Sequence, residues 1–355
     1  MNSQNTTYTQ ALAKSMHSAM AEHDNTIIMG QGVDDFKGIF GTTHDLHEEF
    51  GKDRVFDIPL AEEGTTGIAI GAALNGLYPI QTHIRADFAL VCMNQIVNLA
   101  SKYRYMFGGR FEVPMLIRLV VGRSWGQGAQ HSQSLQSLFA HIPGLTVIMP
   151  SHPDTIKSSY AHAISEYPNP VISIEHRLMY DLEFQTELYS PKENPLHSSY
   201  IVREGEDVTI VATSIMVLEA IRAAEHLKEK AGISCEIIDL HSISHPQRFE
   251  VLQSVKKTRK VIIADTSWQA YGVGAEICRW VLEEGPNILT APAKTIGMAP
   301  APCPTAKSLE DIYYPNLSTL SHDIATMVTG STDHGIPLPS ENSMADVYKR
   351  FKGPF

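Results

Sequence analysis

Short apolar runs that stop at glycine or proline alternate along this chain with stretches of helical period. The alternation breaks off once and then restarts. A run bounded this way reads as a strand buried on both faces, and strands separated by helices build a parallel sheet with helices on either side. Residues 7–22 carry apolar and small side chains at helical spacing. Residues 25–30 (NTIIMG) read as a strand ending on glycine, 43–50 as a polar helix, and 54–58 (RVFDI) as a strand stopped by Pro59. Runs at 79–84 and 114–121 flank a long helix expected over 86–106, and 146–149 and 171–175 add two further strands. Residues 181–200 are rich in proline, serine and acidic side chains and lack periodicity, so the linker is expected there. A second, smaller series follows: strands at 208–213, 235–239 and 261–265, with helices at 215–231, 247–257 and 274–284. One more helix is expected past Tyr314, then an extension docked on a neighbour or disordered. The expectation is an α/β chain of two doubly wound domains, 1–185 and 200–328, with 329–355 as a C-terminal extension.

Composition narrows the partners. A length of 355 residues with 43% hydrophobic content supports two cores, and a net charge of −11 argues against nucleic acid or an anionic membrane. Charged residues make up 19%, below the roughly 25% usual for soluble domains, which points to a large partner interface. Cys92, Cys235, Cys278 and Cys303 lie far apart without a CxxC pair. They favour a reducing compartment over a disulfide scaffold. The N-terminus is polar and no long apolar run occurs, so a cytoplasmic protein is expected.

The stretch DIPLAEEGTTGIAIGAALNGL, residues 57–77, is the most informative. Pro59 prepares a helix start and Glu62 falls in the first turn, while Gly64, Gly67, Gly71 and Gly76 leave one face nearly bare. Each mid-helix glycine costs about 1 kcal/mol against alanine, so the bare face implies a compensating close approach, a subunit interface. A first-turn carboxylate ordinarily just complements the helix dipole. The alternative reading holds Glu62 beside the interface, where burial raises its pKa and lets it share a proton. A second candidate is the loop GRSWGQGAQHSQS, residues 122–134, whose Gly122, Gly126 and Gly128 permit tight turns next to His131. A histidine beside a helix start is more often structural than catalytic, but the C-terminal end of a strand is where α/β sheets bind ligands. YGVGAEI, residues 271–277, lacks the third glycine of a dinucleotide fingerprint, though it could still contact a phosphate; HExxH and P-loop patterns are absent from the sequence.

Taken in order, DIPLAEEG, ADFALVCMNQIVNLASKYRYMFGG, AQHSQSLQSLFAHIPGLTVIMPSHP and NPVISIEHRLMY resemble the beta subunit of the thiamine diphosphate-dependent 2-oxoacid dehydrogenases, in the transketolase superfamily. The similarity spans roughly residues 5–320. It implies a pyrimidine-binding domain followed by a transketolase C-terminal domain. It also implies a separate alpha subunit in an α₂β₂ heterotetramer, which would supply the diphosphate and magnesium site, because the GDG…N motif for that site is nowhere in this chain. By this resemblance Glu62 hydrogen-bonds a ring nitrogen of the cofactor's aminopyrimidine and stabilises the imino tautomer that deprotonates the thiazolium carbon. Phe88 packs on the pyrimidine and His131 exchanges protons with the substrate-derived group. Met115, Ala163, Glu166 and Asn169 fall where some relatives hold potassium through backbone carbonyls and a side chain, with local spacing that differs by one residue.

Two departures stand out. Relatives read GE(D/E)V in the first loop, where this chain has Gln31 and Gly32, so a titrating carboxylate of a proton path between paired active sites is replaced by an amide. HSISHPQRF, with Ser242 and His245, and APCPTAKSLE around Cys303 also differ, which leaves docking to a lipoyl acyltransferase an open expectation. The leading expectation is an oxidoreductase subunit that decarboxylates a 2-oxoacid and passes the acyl unit to a lipoyl group. The alternatives are two-carbon transfer to an aldehyde or ketone, of the acyloin or transketolase type, and a non-catalytic structural subunit.

Overall fold

The computed structural model describes residues 5–122 and 126–339. The chain divides into two compact units. One is built from residues up to Val121 with Gln130–Leu196 and Ser242–His245, the other from Gly122–Ala129, His197–His241 and residues from Pro246 on.

The first unit is built on six parallel strands. Their order across the sheet is Val55–Asp57, Thr26–Gly30, Tyr78–His83, Met115–Val121, Pro170–His176 and Thr146–Ile148. Every residue of Thr26–Gly30, Tyr78–His83, Met115–Val121 and Pro170–His176 is buried, which accounts for their largely apolar character. In chain order the first strand has the second on one side and the third on the other. The sheet therefore reverses direction between Thr26–Gly30 and Tyr78–His83, and a crevice opens outside their C-terminal ends. Gly30 sits at that point paired with Thr82, where a Cβ would come within 2.7 Å of the Thr82 carbonyl oxygen.

Local chemistry sets the first helix. Thr7 caps Tyr8–Glu22: its hydroxyl accepts from the Gln10 amide at 3.1 Å and its own N–H donates to the Gln10 side chain at 2.9 Å. Just before it, Asn5–Thr7 pairs antiparallel with Glu183–Gln185, inside the stretch read as aperiodic. The helix expected over 43–50 shortens to Leu46–Phe50. The long helix expected over 86–106 is corrected more heavily. It consists of a 3₁₀ turn, Ala86–Leu90, a π-helical stretch, Gln95–Ala100, and one short α-turn, Tyr103–Met106. The wide stretch is marked by the Ser101 amide reaching Ile96 O at 3.1 Å.

The second unit holds a five-stranded sheet in the order Lys294–Met298, Val261–Trp268, Val208–Ala212, Cys235–Asp239 and Tyr200–Arg203, parallel except for the last. Helices Ile215–Ala231 and Leu317–Thr329 share its main core with Ile210, Ile237 and Ile262. The start of the extension contacts its own unit. Ile336 packs on this core and the Pro337 carbonyl accepts from His226 Nε2 at 2.7 Å. The remaining tail, 340–355, lies outside the described residues. No described helix is long and apolar enough to cross a membrane.

At the centre of the first sheet Arg118 and Glu175, both fully buried, form a bidentate pair with Nε–Oε1 at 2.7 Å and Nη2–Oε2 at 2.8 Å. Tyr160 and Tyr180 donate to the same carboxylate at 2.7 and 2.6 Å. Removing one partner strands a charge, so Arg118→Met is expected to lower stability by about 3–5 kcal/mol in denaturant unfolding, with partial recovery in the Arg118→Met/Glu175→Gln double variant.

Candidate functional site

Three of the residues singled out from the sequence follow the C-terminal ends of strands of the first sheet: Glu62 after Val55–Asp57, Phe88 after Tyr78–His83 and His131 after Met115–Val121. Glu62 is the first residue of helix Glu62–Leu74 and is half-buried; Ala61 before it makes no side-chain cap. The carboxylate thus stands at the positive end of the helix dipole. Its neighbour Glu63 is taken up by Gln95, whose Nε2 donates at 3.2 Å. Phe88, on the 3₁₀ turn, is half-buried, and its ring meets that of His131 edge-on, with centroids 5.6 Å apart and planes at 89°.

What joins Phe88 to His131 was not legible in the sequence. Asp87, buried beside Phe88, accepts from Gln133 Nε2 at 2.8 Å and from the Gln133 amide at 3.4 Å, so one carboxylate ties the turn of Phe88 to the loop of His131. Burial raises the Asp87 pKa, and the bonds from Gln133 oppose that shift. The weak sequence signals were an acid directly before the aromatic residue and an amide two places after the histidine. Ser132 between them is buried with a hydroxyl that has no hydrogen-bond partner among the described residues. A flat half-exposed ring, a carboxylate, an imidazole and an unpartnered hydroxyl fit a polar heteroaromatic ligand.

His83, also unread in the sequence, ends strand Tyr78–His83 under Glu62–Leu74. Burial pushes its pKa down to about 4, and the charge of Glu62 opposes that shift, so the ring is neutral at pH 7. Cys92 Sγ lies 3.9 Å from His83 Nε2, and burial pushes this thiol up to about 11.

The first loop keeps an acid by another route. The Gly32 amide, at φ +75, donates to Asp57 Oδ1, so a carboxylate from the next strand reaches the segment where Gln31 and Gly32 replace acids. In the glycine loop, Gly122, Gly126 and Gly128 have φ of 103, 71 and 70, the conformation glycine supplies cheaply; Arg123, Ser124 and Trp125 lie outside the described residues.

Met115, Ala163, Glu166 and Asn169 belong to the opposite edge. Met115 opens its strand opposite Pro170, directly after Asn169, while Ala163 lies in the last turn of helix Pro153–Ser165 and Glu166 caps it with its N–H on His162 O at 3.1 Å. Helix-end carbonyls are oxygen donors suited to a hard cation. No cluster of three or more His, Cys, Asp or Glu side chains among the described residues could hold a metal ion. The glycine face of Glu62–Leu74 is open: a Cβ on Gly64 or Gly71 would meet nothing within 4 Å, and between them Ile68 is 66% exposed.

Comparison with known proteins gives the class first. The model of the transketolase pyrimidine binding domain matches residues 4–182, and that of the transketolase C-terminal domain matches 198–320. Among solved structures, a split-gene transketolase described as an inactive beta4 tetramer superposes with a TM-score of 0.73 at 22% identity, covering 90% of this chain and 97% of that one. Transketolase from Leishmania mexicana gives 0.69 at 16%, covering 96% of this chain and 48% of that one. The fold is thus the two-domain transketolase-like α/β fold.

The particular relatives are narrower. The chain is 36% identical over 321 residues to the mitochondrial pyruvate dehydrogenase E1 component subunit beta of Saccharomyces cerevisiae, covering 88% of this chain and 87% of that protein. It is also 36% identical over 313 residues to the corresponding subunit of Rickettsia felis, covering 88% and 95%. The protein belongs to the family of pyruvate dehydrogenase E1 beta subunits, components of thiamine diphosphate-dependent 2-oxoacid dehydrogenases.

The buried neutral His83 makes a pH prediction. Its folded pKa of about 4 lies below the ordinary 6.5, so the unfolded chain binds a proton that the folded chain refuses, and stability falls as pH drops from about 6.5 toward 4. Denaturant unfolding at pH 7 and pH 5 is expected to show this contribution, up to about 2 kcal/mol, and His83→Asn to remove it.

Proposed function

We propose that the chain is the catalytic beta half of a two-chain enzyme that decarboxylates a 2-oxoacid and passes the acyl unit to a lipoyl group. The observation that carries this is the perpendicular Phe88–His131 pair, tied together by Asp87 and Gln133. It lies on the same sheet edge as Glu62. Thiamine diphosphate, when bound, supplies a carbon nucleophile and a place for the electron pair left by departing carbon dioxide.

The chain's residues divide the remaining work. The Glu62 carboxyl would hold the aminopyrimidine edge by a hydrogen bond, and the Phe88 ring would pack on its face, adding about 0.5–1.5 kcal/mol beyond area burial. His131 would give a proton to, or take one from, the oxygen of the substrate carbonyl, while its contact with Phe88 and the Asp87–Gln133 bonds hold the ring in place. An alpha subunit in an α₂β₂ assembly would supply the diphosphate and magnesium site. The open glycine face of Glu62–Leu74, with Ile68 and the 82% exposed Leu60 beside it, supports such a partner. Met115, Ala163, Glu166 and Asn169 would take potassium. A cytoplasmic location is favoured by four free cysteines, whereas the yeast relative is named mitochondrial.

A second reading, transfer of a two-carbon unit to an aldehyde or ketone, draws support from Gln31 and Gly32, where the acid pattern is lost and Asp57 takes the loop amide instead. In the complex reconstituted with an alpha subunit, Glu62→Ala is expected to cut 2-oxoacid turnover by at least about 10²-fold with assembly intact, and unchanged turnover would eliminate the catalytic assignment. His131→Ala is expected to cost roughly 10²–10⁴ in rate. Product analysis with a dye oxidant in parallel with aldehyde acceptors separates the two readings. Exchanging potassium for lithium is expected to lower the thermal midpoint of the complex; an unchanged midpoint removes the cation site.

A further inference from the structure

We propose that Thr305 is a positioning residue for His131: it braces the glycine loop at Gly126 and Gly128 and so fixes the point from which the chain runs on to the imidazole. This rests on the proton-transfer role proposed for His131.

Two close approaches carry the proposal. A Cβ on Gly128 would stand 2.8 Å from Thr305 Oγ1, and one on Gly126 would stand 3.1 Å from the Thr305 carbonyl oxygen and 3.3 Å from its Cγ2. One threonine thus occupies the space of two absent side chains. Both glycines also have left-handed φ, +71 and +70, so the loop needs glycine there for two separate reasons. Gly126, Gly128 and Thr305 all belong to the second unit, and the chain leaves that unit after Ala129. His131 follows two residues later, so the tether from Gly128 to His131 spans at most about 11 Å. Its two intervening residues, Ala129 and Gln130, are exposed, and its far end is the ring contact of His131 with Phe88.

The brace is firm because its segment, APCPTAKSLE at residues 301–310, is stiff. Pro302 and Pro304 each fix a φ angle close to Thr305. Cys303 between them is buried in a cluster with Met298, Tyr313 and Tyr314. On one side Trp268 Nε1 donates to Ala301 O at 3.0 Å, and on the other Ala306 O accepts from the amides of Leu309 and Glu310 at 3.0 and 2.9 Å. Thr305 is β-branched, which leaves its side chain few rotamers, as suits a group that acts by contact. It is also exposed, so replacing it leaves the core untouched. A displacement of about 1 Å at a reacting group costs about 10²-fold in rate, so slack at the start of so short a tether reaches the chemistry.

The test uses the complex reconstituted with an alpha subunit, with pyruvate and a dye oxidant, and reads kcat, KM and thiamine diphosphate affinity. Thr305→Ala removes Oγ1 and Cγ2 and keeps the backbone; Thr305→Val keeps the shape with a methyl in place of the hydroxyl. Expected are a roughly tenfold fall in kcat for Thr305→Ala with KM and cofactor affinity unchanged, and recovery of most of kcat in Thr305→Val. In a His131→Ala background, Thr305→Ala is expected to cost nothing further. Gly128→Ala sets a methyl against Thr305 Oγ1 and is expected to lower kcat, and adding Thr305→Ala, harmful alone, then raises it. Wild-type kcat in Thr305→Ala, an equal loss in the His131→Ala background, or a loss confined to KM or cofactor affinity overturns the positioning role while leaving His131 assigned. Wild-type turnover in His131→Ala overturns both. Should Thr305→Ala fail to assemble, Gly128→Ala decides alone: it is expected to lower kcat in the wild-type background and to cost nothing further with His131→Ala, and any other result overturns the proposal.

Discussion

The fully buried Arg118–Glu175 pair is the constraint on which the first unit turns. It joins two neighbouring central strands, and its carboxylate also gathers Tyr160 from helix Pro153–Ser165 and Tyr180 from the segment after the sheet. Arg118 further contacts Met16 Sδ at 3.3 Å on helix Tyr8–Glu22, which packs against helix Pro153–Ser165. Desolvating two charges is costly, and such a pair persists only when its remaining donors and acceptors are met. Here the tyrosine hydroxyls complete the carboxylate. A slip of one residue between these strands would expose the mismatch, so the pair sets the register of the sheet whose C-terminal edge carries the site.

That edge is where the topology does its chemical work. Reversal of strand order opens a crevice beside Gly30 and His83, and helix Glu62–Leu74 directs its N-terminus into the same region. The carboxylate, the aromatic ring and the imidazole reach it from three different segments. Each arrives with its own buried support: Thr66 and Gln81 under Glu62, Asp87 beside Phe88, and Gln133 beside His131. Polar groups tied down in this way hold geometry without relying on the ligand to create it.

Legibility in the sequence followed burial. Strands such as Thr26–Gly30 and Val208–Ala212, buried throughout, announced themselves by mostly apolar, β-branched character. Residues 86–106 misled because their composition permits a helix. The structure instead holds a 3₁₀ turn, a π-helical stretch and one short α-turn there, and ties Asp87 to a loop 46 residues away in the chain. Local propensity does not encode such a partner.

By itself, the sequence determined the two α/β series, the helix starting near Pro59 with Glu62 in its first turn, and the candidates Phe88 and His131, because periodicity, proline and motif order are local properties of the chain. Tertiary structure alone decided that Phe88 and His131 face each other at 5.6 Å, that Asp57 replaces the missing acids at Gly32, and that His83 stands over the helix of Glu62. These relations join residues from different strands and loops, and only the folded register of the sheet brings them within the few ångströms over which hydrogen bonds and ring contacts act.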